Sequence, residues 1–139
     1  MRKTVLYLFF FAALFAGSAP RAFAQEPQEP DVNEIIDKQL ENLTRMFNLD
    51  DVQIFFVDSI LQYNYPAMMD EVNRTRKTGA SNTETYQIIS DKWMAATDDA
   101  FEKVFTEDQW KKYLKSTYGK EKKRRDKRIS ERAVPQDPS

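Results

Sequence analysis

The sequence predicts an all-α protein: a four-helix, hairpin-like domain, drawn out as an extended cradle or closed as a small bundle, with a basic, partly disordered C-terminal tail. Three observations predict it. Helix-start signals recur along the chain, each a Ser, Thr or Asp followed three residues later by Glu or Gln. Apolar residues then repeat at helical spacing. No stretch alternates apolar and polar residues over the length of a strand.

Residues 1–24 read as a secretory signal peptide. Arg2 and Lys3 make a basic start, residues 5–16 an apolar run, and Ala22, Phe23 and Ala24 a small-x-small cleavage signal before Gln25. The run is shorter than the roughly 20 residues that span a bilayer, so the segment is read as removed, not as an anchor. A soluble, exported chain of 115 residues remains, the size of one domain. Residues 25–30, with Gln, Glu and Pro only, form a disordered leader.

The helical domain spans residues 31–119. Its first helix opens at Asp31, with Glu34 completing a capping box, and carries Val32, Ile35, Ile36, Leu40, Leu43, Met46 and Phe47 on one stripe up to Asn48. The second opens at Asp50, with Gln53 three places on, and carries Val52, Phe55, Phe56, Ser59, Ile60, Tyr63, Met68, Met69 and Val72. Ile54, Val57 and Leu61 broaden the stripe beyond what one packed face needs. Pro66 removes a backbone donor well inside the pattern and predicts a kink or a break near residues 63–65. Thr78, Gly79 and Ala80 form the turn after it, and Ser81 with Glu84 reads as the next capping box. The third helix follows with Tyr86, Ile89, Trp93, Ala96, Ala100, Phe101 and Val104 in period. The fourth opens at Thr106, boxed by Gln109, with Trp110, Tyr113, Leu114 and Tyr118 on one side.

Residues 120–139 form a basic extension. Gly119 weakens the helix by roughly 1 kcal/mol relative to Ala, and the segment after it is nearly all charge, which predicts a solvated helix fraying into disorder. Charge is segregated along the chain. Residues 25–109 hold 7 Lys or Arg against 18 Asp or Glu, net −11, whereas residues 110–132 hold 11 against 3, net +8. An acidic body thus carries a basic end.

Composition narrows the chemistry. The chain has no Cys and no His, which removes disulfides, thiolate and imidazole metal sites, and Ser-His or Cys-His catalytic pairs. Adjacent carboxylates such as Asp98 and Asp99 point in different directions on a helix and lack the alternating oxygen ligands of a calcium loop. A non-enzymatic protein without cofactor or metal is the reading. The basic run has no interleaved aromatics, which argues against nucleic acid as a partner.

The two helix starts Leu49-Asp50-Asp51-Val52-Gln53 and Phe105-Thr106-Glu107-Asp108-Gln109 share an apolar residue, a cap and a Gln at the third helical position. With the signal peptide and a small helical body free of Cys, they resemble the LTxxQ-motif family of Gram-negative periplasmic proteins, the Spy/CpxP-like group. Asp50 stands where the motif has Thr and Phe105 where it has Leu, and both replacements keep the capping chemistry. The resemblance is one of architecture and covers most of residues 31–128. It implies a periplasmic, cradle-shaped homodimer that acts as an ATP-independent chaperone for unfolded or partly folded envelope proteins, or as an accessory of an envelope-stress sensor. The zinc ligands of some members have no counterpart here.

Three residue groups are candidates for function. Leu49, Asp50, Gln53, Phe105, Thr106 and Gln109 form the helix-capping motifs and read as structural. Phe55, Phe56, Tyr63, Tyr65, Met68, Met69, Trp93 and Met94 are either core or an adaptable surface, since Met and aromatic side chains re-pack around varied partners. Strict period places Phe55, Tyr86, Trp93 and Phe101 in the core, while Ile54, Tyr65, Met68 and Met69 fall off it and are the candidates for client binding. Lys122, Lys123, Arg124, Arg125, Lys127 and Arg128 form the basic tail, either a solvated counterweight to the acidic body or a dock for an anionic envelope surface or sensor.

Overall fold

A computed structural model describes residues 31–79 and 82–135. The signal-peptide and leader readings lie outside the described residues. The architecture is all-α, and no strand occurs among the described residues. Among the described residues, five helices replace the anticipated four: α1 (Val32–Phe47), α2 (Asp51–Lys77), α3 (Thr83–Val104), α4 (Glu107–Lys115) and α5 (Thr117–Ala133).

Helix starts follow the capping pattern, with two adjustments. The Asp31 carboxylate caps α1 by accepting the Asn33 N–H, while Glu34 turns instead to Lys38, 2.6 Å away. Asn82, not Ser81, caps α3, its carbonyl oxygen accepting the Thr85 N–H at 2.7 Å. At the end of α1, Asn48 takes the left-handed conformation (φ 50°), which a short polar side chain tolerates better than most.

α2 and α3 pack side by side as a long antiparallel hairpin, α1 lies on α2, α4 on α5, and α5 returns along α3. α2 runs through Pro66 unbroken. Pro66 and Gln62, whose carbonyl loses its usual donor, are both exposed, so the loss falls where solvent competes for that carbonyl anyway. Two residues earlier, buried Asn64 donates to the Thr97 hydroxyl at 2.8 Å, and Thr97 in turn donates to the Trp93 carbonyl. This link ties α2 to α3 beside the proline.

The core gathers where α1, α2, α3 and α4 converge. Ile36, Leu43, Val57 and Leu61 are fully buried, and an aromatic cluster closes around Tyr113. Tyr113 stacks on Trp110 (4.9 Å between ring centroids) and Tyr118 (5.5 Å), and Phe101 and Phe105 meet it edge-on. Phe105 also touches Trp110, the staple that the second motif predicts.

The anticipated fourth helix is broken at Ser116, whose backbone is extended and whose hydroxyl donates to the Tyr113 carbonyl, competing with helix continuation. Gly119 makes the corner possible. A Cβ there would lie 2.0 Å from the Leu114 carbonyl oxygen, so the first turn of α5 sits against the end of α4 only because this residue lacks a side chain. Gly119 is therefore the residue that lets the helix turn back, not a weak point in it. Leu114, read as part of the apolar side, is left exposed. The border anticipated between residues 119 and 120 falls inside α5, and the basic run is helical to Ala133.

Candidate interaction surface

The two capping motifs meet. Asp50 and Thr106 each accept the N–H of their own Gln, and Gln53 and Gln109 each return a side-chain oxygen to the cap's N–H. The two amides then pair with each other: Gln53 Nε2 donates to Gln109 Oε1 at 2.6 Å and Gln109 Nε2 to Gln53 Oε1 at 3.1 Å. Each also donates across to the helix end before the other motif, Gln53 to the Val104 carbonyl and Gln109 to the Phe47 carbonyl, both at 3.1 Å. Gln53 is 8 % exposed. All hydrogen-bonding capacity of these amides thus goes to joining two helix junctions, with nothing left for a ligand.

On α2 the sequence expectation is inverted. Val57 and Leu61, the residues that broadened the stripe, are in the core, while Phe55, expected there, is 66 % exposed. Val52, Phe56 and Tyr63 are exposed with it. Residues 52, 55, 56, 59 and 63 follow the spacing of one helix face, so α2 carries a second apolar stripe pointing away from the core. The reason lies in Gln53 and Asn64: both are buried polar residues with fixed partners, and their positions turn Val57 and Leu61 inward. Phe55 and Phe56 pack edge-to-face (5.6 Å), and Ser59 between the apolar positions donates its hydroxyl to the Phe55 carbonyl. Beside the stripe, a groove of about 340 Å³ runs between α2 and α3, lined by Phe56, Ile60, Tyr63, Ala96 and Ala100.

The residues read as client-binding candidates sit elsewhere. Ile54, Tyr65, Met68 and Met69 are half-buried, and Ile54 and Tyr65 pack against the core. Of the four placed in the core by period, Phe101 is buried, Tyr86 and Trp93 are half-buried, and Phe55 is the exception.

The basic run divides by helix face. Arg125 turns inward onto Asp98, 2.5 Å away, and both are nearly buried. Arg128 holds Asp91 through two nitrogens, and Arg132 reaches the same carboxylate. Lys123, Arg124 and Lys127 face solvent, Arg124 pairing with Glu121 and Lys127 lying 3.8 Å from Glu131, while Lys122 pairs with Asp126. Burial acts to raise the pKa of Asp91, but hydrogen bonds from Arg128, Arg132 and Gln87 outweigh it and hold the carboxylate at about 2. Tyr113 donates to Asp98 at 2.7 Å, and burial followed by that negative neighbour pushes its hydroxyl well above the usual phenol range. Asp91, Thr97 and Asp98 escape the apolar-period reading because it scores them as gaps. Their signal is a charge pattern: Asp at a spacing of seven on α3 and Arg at spacings of three and four on α5.

Among the described residues, no helix is long and apolar enough to cross a membrane. No family model matches this chain, and neither a curated protein nor a solved structure does.

Proposed function

We propose that this is an exported, non-enzymatic helical protein that shields apolar segments of unfolded or partly folded envelope proteins, acting in the periplasm as an ATP-independent chaperone or envelope-stress accessory protein of the LTxxQ kind. The observation that supports this reading is the outward stripe of α2. Val52, Phe55, Phe56 and Tyr63 are each about half or more exposed, in a helix that already buries a complete face on its other side. An isolated exposed apolar residue needs no explanation, but four at one helical spacing beside an apolar groove form a surface for a partner.

The competing reading, an adaptor docking on an anionic surface through its basic tail, has less support, because Arg125, Arg128 and Arg132 are engaged by α3. Light scattering of a reduced, aggregating client tests the proposal. The purified protein at several-fold molar excess is expected to suppress the signal without ATP, and the doubly substituted Phe55→Ser, Phe56→Ser protein to lose most of that effect. Absence of suppression by the unsubstituted protein overturns the reading.

A further inference from the structure

We infer that the outward face of α2 and its groove with α3 take a cationic, amphipathic helical segment of a partner polypeptide. The inference rests on the reading above and names the chemistry of what is shielded. Its first support is charge. Between Arg45 and Arg74 the chain holds Asp50, Asp51, Asp58, Asp70 and Glu71 and not one Lys or Arg. Asp51 and Asp58 lie four residues before and three residues after Phe55, so they border the same edge of the stripe one turn to each side. Asp70, exposed two turns beyond Tyr63 on the stripe's own face, adds a carboxylate at its far end. Across the groove, exposed Asp99 and Lys103 on α3 offset each other, and Lys92 is held by Glu71 at 2.5 Å. An apolar strip with carboxylates along one edge and at its far end complements apolar side chains flanked by Lys or Arg, and repels acidic segments.

The second support is size. Three aromatic rings about half or more exposed, with Val52, offer on the order of 400 Å², about half of the roughly 800 Å² that each partner contributes to a standard dimer. The stripe runs about 16 Å, matching three turns of a helix. A peptide segment fits these dimensions better than a second folded copy does. Covering the strip leaves no polar group stranded at its centre, because the Ser59 hydroxyl is already satisfied by the Phe55 carbonyl. Ala96 and Ala100 keep the α3 wall of the groove low enough for a helix to approach.

Fluorescence anisotropy with two labelled helical peptides tests this. Both carry Leu and Phe at the same i, i+3, i+4, i+7 positions, and their flanks are Lys in one and Glu in the other. The Lys peptide is expected to bind at least about tenfold more tightly at low ionic strength, the gap shrinking to within about threefold near 0.5 M salt as screening sets in. Asp51→Asn with Asp58→Asn is expected to remove most of the gap, and Phe55→Ser with Phe56→Ser to weaken both peptides at least about tenfold. All four residues are solvent-accessible, and unchanged far-UV dichroism checks the fold; the salt series on the unsubstituted protein needs no variant. Equal binding of the two peptides, alongside client suppression, overturns this inference and leaves the chaperone reading standing. Binding of neither peptide, with no suppression, overturns both. A dimer seen by sedimentation that Phe55→Ser abolishes assigns the face to a second copy and overturns the inference.

Discussion

α2 and α5 depart from the apolar-in, polar-out rule in opposite directions. α2 is the more apolar helix and points its most regular apolar stripe at solvent, whereas α5 is mostly charged and turns three arginines toward α3. The difference teaches that a side chain's partner decides its burial more than its own polarity does. Gln53 and Asn64 are drawn inside α2 because each completes a hydrogen-bond set there, and the two remaining inward positions go to Val57 and Leu61. Asp91 and Asp98 are tolerated inside α3 because guanidinium groups meet them, since an unpaired buried carboxylate is too costly to keep charged.

The largest test of this comparison is Leu61→Ala on the inner face of α2. Truncation at a site with no exposure is expected to cost about 3 kcal/mol in denaturant melts. The α3–α5 seam comes next, through pH. Asp91 has a folded pKa of about 2 against an ordinary value of 3.8, so its pairing contributes stability above pH 4 that is lost as pH falls toward 2. Urea melts from pH 5 to pH 2 are expected to lose on the order of 2 kcal/mol from this group. Asp91→Asn should flatten that part of the slope, and a slope unchanged by it would show the seam carries no proton linkage. Thr106→Ala, an exposed cap between the two regions, should cost about 1 kcal/mol, with no change meaning that α4 does not depend on its box. The smallest stability effect belongs to Phe55→Ser, within about 0.5 kcal/mol; a loss as large as that of Leu61→Ala would place Phe55 in the core after all.

Much of the fold was legible in the sequence, because helix starts are local. Asp31, Asp50 and Thr106 cap where the pattern puts them, and Asn48 stops α1. The turn at Ser116 was not, because it depends on a close approach between Gly119 and the Leu114 backbone that only the three-dimensional path reveals. Nor was the pairing of Gln53 with Gln109, which joins residues far apart in the chain, although both were read as structural. The surface on α2 was half legible. Its residues stood out as a regular stripe, but period alone cannot say which of two apolar faces a helix buries, and the irregular positions Ile54 and Tyr65 turned out to be packed.

The corner at Gly119 also decides where the charge of the basic run is spent. By folding the basic run onto α3, it sets Arg125, Arg128 and Arg132 against Asp98 and Asp91 of the same molecule. Were α5 to project outward, its cationic face would seek the acidic body of a neighbour, and the neighbour's α5 the next body in turn. Such head-to-tail contacts do not close on themselves and grow into open chains. A single missing methyl group, by allowing the return of α5, thus decides whether three arginines meet their carboxylates within the molecule or outside it.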